Sequence, residues 1–336
     1  MKKRQKKLPR KKLRKKRKPS NFCFTDKDKI INRREDIIIM FTGSDVIALR
    51  QKTGAGVLDC KKALTETNGD MEKAVDYLRE KGMATAAKKA SRIAAEGIVA
   101  AKIEGNTGVL VEVNCETDFV AKGDQYKAFV DDVADYVLHN DVKDNEALAE
   151  AKKDETIAAT AKIGEKIAIR RFAKYTAENG IVESYIHMGG KVGVLVEIDG
   201  CTCEATHELA HDVALQIAAA KPLYLTEEEV PADVIEKEKE ILLAQIENDE
   251  KLKGKPEMVK HKMVEGKIGK YYDENCLLKQ AFVKDPSVSI EKLVKTYSDK
   301  MGKTLSIKRF TRFEMGEGLE KKTNDFAAEV AAQMKK

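Results

Sequence analysis

Between residues 42 and 90 the apolar positions recur at helical spacing and are punctuated by glycines. Ser44 is placed to cap a helix carrying Val46, Ile47 and Leu49, which should end near Thr53-Gly54-Ala55-Gly56. A second helix runs through Leu58, Ala63 and Leu64 to Asn68-Gly69. Asp70 caps a third, with Met71, Ala74, Val75 and Leu78 on one face, expected to stop at Gly82. Three short helices joined by Gly-bearing turns predict a small bundle. The Ala/Lys-rich stretch from Ala84 to Ala95 reads as a helical link to the rest of the chain.

Beyond residue 96 the period changes from helical to alternating and β-branched, and one unit occurs twice. Gly97-Ile98-Val99 precedes Gly108-Val109-Leu110-Val111-Glu112-Val113 and a helix expected over about 118–140. Gly180-Ile181-Val182 precedes Gly193-Val194-Leu195-Val196-Glu197-Ile198 and a helix expected over about 204–220. Further strands are predicted within 163–173 and 304–314. The pattern predicts an α+β protein whose core is a duplicated sheet-and-helix unit. Residues 232–274 interrupt the second copy. Ile241, Leu242 and Ile246 fall on one helix, Met258, Met263, Val264 and Ile268 on another, with Lys253-Gly254-Lys255-Pro256 between them, which reads as an antiparallel helical hairpin. A last amphipathic helix is expected from about 318.

Charge changes this picture at one end only. Residues 1–39 hold 17 Lys/Arg against 4 Asp/Glu, whereas 40–336 hold 45 against 52, so the net +6 describes neither part. The basic extension has too little apolar content to bury a core and is expected to be disordered. It reads as an RNA-binding arm, a targeting peptide, or sequence upstream of a natural start at Met40; Lys dominance without a Ser-rich amphipathic pattern argues against targeting. Met40 is the expected start, because Arg33-Arg34-Glu35-Asp36 is encodable by a purine-rich stretch resembling a bacterial ribosome-binding site. No apolar run approaches a membrane span, the longest being Ile37-Ile38-Ile39-Met40-Phe41. Six dispersed cysteines without a secretory signal predict reduced thiols in a cytoplasmic protein.

Candidate chemistry is sparse. His207-Glu208-Leu209-Ala210-His211 matches the zinc-hydrolase pattern H-E-x-x-H, with Cys201 and Cys203 upstream. The plainer reading is stronger: Leu209, Val213, Ile217 and Ala220 form the buried stripe of this helix, and the histidines flank it. The Cys-x-Cys pair lacks zinc-finger spacing and reads as a strand end. Gly189-Gly190-Lys191 and Gly54-Ala55-Gly56 lack the rest of a phosphate loop, so no direct nucleotide binding and no cofactor are expected. The segment Cys115-Glu116-Thr117-Asp118-Phe119-Val120 is different, setting a carboxylate beside an aromatic ring at a strand-to-helix turn. Thr117 or Asp118 capping the helix accounts for it in structural terms; a ring pushed into a partner's crevice is the functional alternative.

Three motifs at consistent positions then carry a resemblance. Thr53-Gly54-Ala55-Gly56-Val57-Leu58-Asp59-Cys60-Lys61-Lys62-Ala63-Leu64, Thr117-Asp118-Phe119-Val120-Ala121-Lys122 and Arg312-Phe313-Glu314-Met315-Gly316-Glu317-Gly318 resemble the N-terminal, central and C-terminal motifs of the elongation factor Ts family. The resemblance runs from about Met40 to the end and leaves out 1–39. It implies a ubiquitin-associated-like three-helix module at 40–90, core subdomains at 91–178 and 179–317 with the hairpin at 232–274 inserted, and a terminal helix at 318–336. It also implies guanine nucleotide exchange on elongation factor Tu without covalent catalysis. On that resemblance, Thr117, Asp118, Phe119, Val120, Ala121, Lys122, Gln216 and Gly316 are partner-binding positions, with Asp118 and Phe119 entering near the magnesium site. Gln216 stands where many members have His, and Gly123 where a polar residue is more usual.

Overall fold

The computed structural model describes residues 41–320, so the 1–39 extension, Met40 and all but the first residues of the expected 318–336 helix lie outside the described residues. Residues 318–320 are turn and coil. The chain divides after Tyr77 into two compact units.

The first unit holds α1 (Gly43–Thr53), α2 (Val57–Glu66) and the first two turns of α3 (Met71–Lys89) around Leu49, Cys60, Ala63, Leu64 and Ala74. Thr42, not Ser44, caps α1. Its hydroxyl accepts from Asp45 N–H while the Asp45 carboxylate accepts from Thr42 N–H at 2.7 Å, a reciprocal box that Ser44, with Ile47 three residues on, could not close. Gly54 at φ +67° ends α1, and Asp70 receives the Glu72 and Lys73 amides as expected. Gly82 does not stop α3. The Ala-rich stretch that follows sustains the helix to Lys89, so the expected link is its continuation.

In the second unit, β1 (Glu96–Glu104), β2 (Thr107–Cys115) and β3 (Ala168–Thr176) form an antiparallel sheet in that order. Between β2 and β3 the chain makes α4 (Asp118–Lys122), α5 (Asp124–His139), α6 (Asn145–Ala151) and α7 (Lys153–Ile163). The expected continuous helix over 118–140 is broken at Gly123, whose extended ψ of 140° ends α4 and starts α5. The expected strand at 163 begins only at Ala168, because Ile163 ends α7 and Gly164 caps it at φ +87°. The chain then repeats the plan with β4 (Gly180–His187), β5 (Val192–Asp199) and α8 (Glu204–Ala220). Next come α9 (Ala232–Asn248) and α10 (Glu257–Asn275), packed through Ile235, Leu242, Ile246, Val264 and Ile268. A short pair β6 (Ala281–Phe282) and β7 (Asp285–Ser289), then α11 (Ile290–Met301), lead to β8 (Ser306–Glu314), which completes the antiparallel order β4-β5-β8.

The two sheets share a local device. Glu112 pairs with Arg171 and Glu197 with Arg309, and in both sheets the register slips at the next position, leaving Arg170 and Lys308 as the extra residues. A bulge brings consecutive side chains toward one partner. Thus Glu112 accepts from Arg171 Nε at 2.6 Å and Arg170 Nη1 at 2.9 Å, and Glu197 from Arg309 Nε at 2.6 Å and Lys308 Nζ at 3.0 Å. Both carboxylates are fully buried, and a buried charge persists only when paired and hydrogen-bonded. Helices α5 and α8 cover their respective sheets, and Val99, Leu110, Val182, Leu195 and Phe313 pack in an apolar cluster drawn from both. The fold is therefore α+β, with small antiparallel sheets. Among the described residues no helix is long and apolar enough to cross a membrane.

Candidate partner-contact site

Strand β2 ends at Cys115, buried so thoroughly that its thiol is pushed up to about 11. The turn after it is held from far along the chain. The Glu165 carboxylate accepts from Glu116 N–H at 3.1 Å, Thr117 N–H at 3.0 Å and Thr117 Oγ1 at 2.7 Å. Glu116 in turn accepts from Lys166 N–H at 2.7 Å and from Arg92 Nη1. Thr117 caps α4, its hydroxyl facing Val120 N–H at 3.4 Å. Two long-range carboxylate clamps and one cap therefore hold a helix of five residues that has too few turns to be stable alone.

The faces of α4 are divided accordingly. Val120 and Ala121 pack against the cluster beneath β1–β3. Asp118 and Lys122 form an ion pair at 2.6 Å across one turn, and the hydrogen bond from Lys122 holds the Asp118 carboxyl below its ordinary range. Phe119 points the other way and is 82% exposed. An exposed aromatic on a loose loop would mean little. A ring kept in water by an immobilised turn has an orientation ready for a concave apolar partner, with little ordering entropy left to lose on contact. After Gly123, Tyr126 donates from its hydroxyl to Val113 O at 2.7 Å and fastens α5 to β2.

The six positions Thr117–Lys122 thus lie together on one turn, while Gln216 and Gly316 do not share it. Gln216 is buried within α8. Its Nε2 donates to Gln280 Oε1 at 3.1 Å and Ala281 O at 3.2 Å, and its Oε1 accepts from Val283 N–H at 2.8 Å. Gly316 is buried after β8 at φ +72°, donates to Glu112 Oε1 at 2.8 Å, and would drive a Cβ into the Ala95 carbonyl. Both are positioned to shape the scaffold. Position 216 lies three residues after Val213 and seven after Leu209, on the buried stripe of α8, and this spacing could have indicated its burial. Glu165, the anchor of the turn, was missed; it stands 48 residues from Thr117 and carries no local signal.

The first unit exposes Ile47, Val57 and Leu58, and Val46, Ile47, Arg50, Gln51 and Val57 line a shallow cavity of about 240 Å³. His207 and His211 lie exposed beside the α8 stripe, His207 Nδ1 being 3.4 Å from Glu183, and His211 packs edge-on to Tyr185. Among the described residues no group of three or more His, Cys, Asp or Glu is arranged to hold a metal ion.

Comparison with known proteins places these features in company. The family model described as "Elongation factor TS" matches residues 116–317. The elongation factor Ts of Clostridium novyi (strain NT) is 48% identical over 308 residues, covering 88% of this chain and 99% of that protein. The protein of the same name from Clostridium perfringens (strain 13 / Type A) is 50% identical over 305 residues, covering 87% and 98%. That of Bdellovibrio bacteriovorus is 51% identical over 300 residues, covering 85% and 96%.

Proposed function

The chain belongs to the elongation factor Ts family, and from that premise we propose how its residues perform guanine nucleotide exchange on elongation factor Tu in translation elongation. The chain makes no covalent bond and works in the cytoplasm as a binding partner. Phe119 enters a crevice of the GTPase and displaces the elements that ligate magnesium, while Asp118 brings a carboxylate toward the same ion. Magnesium demands near-ideal octahedral coordination, so small displacements of its ligands weaken its bridge to the GDP phosphates. The factor then holds the nucleotide-poor state more tightly than the GDP state. Reciprocity requires that rebinding nucleotide weaken the factor's hold by the same ratio.

Phe119 carries this reading: it is an 82% exposed ring on a turn locked by Glu165 and seated through Val120 and Ala121. Gln216 and Gly316 contribute by position, the first holding residues 280–283 and the second closing on Glu112. The chain is read as a ubiquitin-associated-like module over 40–90, two related core subdomains over 91–178 and 179–317, and a helical hairpin over 232–274. The matching strand orders and bulges support the duplication, and the apolar surface of Ile47, Val57 and Leu58 supports a second contact with the GTPase through the module.

Burying a Phe side chain contributes about 1.5–3 kcal/mol, and each 1.4 kcal/mol is a factor of ten. Phe119→Ala should leave thermal stability unchanged, since the ring touches little of the core, and slow factor-stimulated GDP release roughly ten- to a hundredfold. Release of a fluorescent GDP analogue from purified elongation factor Tu measures it. Unchanged release by a folded variant would remove Phe119 from the mechanism.

A further inference from the structure

The segment between β5 and α8 places two thiols against each other. Cys201 Sγ and Cys203 Sγ are 2.7 Å apart, and the Thr206 hydroxyl lies 3.2 Å from the first and 3.3 Å from the second. Cys203 is the N-cap residue of the 17-residue α8 and is half-buried; Cys201 is buried behind it. Met301 Sδ lies 3.9 Å from Cys203 Sγ and completes a sulfur-rich wall. We propose that Cys201 and Cys203 form a thiol–disulfide exchange site for low-molecular-weight disulfides, with Cys203 the attacking sulfur and Cys201 the resolving one. This site owes nothing to the exchange activity and stands or falls without it.

The division of roles follows from access and charge. The thiolate is the nucleophile, and a hydrogen bond from Cys201, then the Thr206 hydroxyl and the amides of α8, lower Cys203 from the ordinary 9.0 to about 7. Burial instead pushes Cys115 and Cys276 up to about 11. At pH 7 about half of Cys203 is thiolate, against about one hundredth of an ordinary thiol, while its lower basicity reduces nucleophilicity about tenfold. A net advantage of about fivefold remains. The Cys203 thiolate attacks one sulfur of the disulfide R–S–S–R, forming Cys203–S–S–R and expelling RS⁻. The Cys201 thiol gives its proton to that RS⁻, and its sulfur attacks Cys203 Sγ, expelling the second RS⁻, which takes the proton Cys203 had released. Two protein thiols are oxidised to one disulfide, and R–S–S–R is reduced to two RSH.

The test uses the full chain and glutathione disulfide at pH 7, followed by acid quenching, N-ethylmaleimide, digestion and mass spectrometry. The peptide bearing Cys201 and Cys203 should lose two hydrogens and take no maleimide, while Cys60, Cys115 and Cys276, each on its own peptide, are alkylated once the chain is unfolded, and Cys23, on a further peptide, is scored separately. Cys201→Ser should stop at a glutathione adduct on Cys203, and Cys203→Ser should leave Cys201 unmodified. Two maleimides on the native peptide after the same treatment would overturn the proposal without recourse to any variant. So would a Cys203→Ser chain of native circular dichroism in which Cys201 is modified as fast as the pair is oxidised in the parent.

Discussion

Glu314 shows what one side chain adds when two cations converge on it. Its Oε2 accepts from Arg312 Nη2 at 2.8 Å and Lys221 Nζ at 2.9 Å, and these bonds, Arg312 foremost, lower its pKa from 4.5 to about 2. A carboxyl depressed in the folded state stabilises fully above its unfolded value and ceases to do so as pH falls through the folded one. The window is therefore about 4.5 down to about 2. The side chain is 39% exposed, so screening by water leaves about 1 kcal/mol. Glu314→Gln should lose about that much stability at pH 7 and converge on the parent near pH 2, with a shallower melting-temperature slope between pH 4.5 and 2. Parallel profiles would deny Glu314 the role. Residues of this kind are hard to read from sequence. The bulges that bring Arg170 beside Arg171 and Lys308 beside Arg309 are pairing events, and neither Glu112 nor Glu197 carries in its neighbours the reason it can be buried.

At the scale of elements, α4 depends on its attachments. Thr117 supplies the cap and two of the three hydrogen bonds to Glu165, one of them from its hydroxyl, so Thr117→Ala should cost about 1 kcal/mol through the lost cap and leave the Glu165 carboxylate short of one donor. Hydrogen exchange of the 118–122 amides should accelerate, and GDP release should slow although Phe119 is intact, because a ring on a frayed turn must be ordered at each encounter. Unaltered exchange of those amides would show that Glu165 and the Val120–Ala121 seat suffice. The turn was legible in part: the aromatic–acid pair after a β-branched strand marked the place, and the cap followed from Thr117. Its stiffness was not, since Glu165 arrives from the end of α7. Strands β1, β2, β4 and β5 and helix α8 followed from periodicity. The Ala-rich α6 and α7 show no apolar stripe strong enough to announce them, and Gly82 misled because its surroundings favour helix more than one glycine opposes it.

For the whole molecule, the excess of basic charge and the proposed contact surface lie in different parts of the chain. Residues 1–39 carry 17 basic against 4 acidic residues and the rest 45 against 52, while every residue proposed for the GTPase contact lies beyond Met40. Adsorption to a polyanion depends on clustered cations and weakens steeply with salt, whereas the insertion proposed for Phe119 depends on shape and apolar area. Truncation to 40–336 should therefore separate the two. The full chain should be retained on heparin well into the salt gradient, and the truncated chain should pass through at physiological ionic strength. Both should accelerate GDP release from elongation factor Tu equally, mole for mole. Equal retention would mean that the acidic body presents a basic face of its own. A truncated chain that stays folded but no longer accelerates release would move part of the partner contact into the extension, and Phe119 would then be one contributor among several.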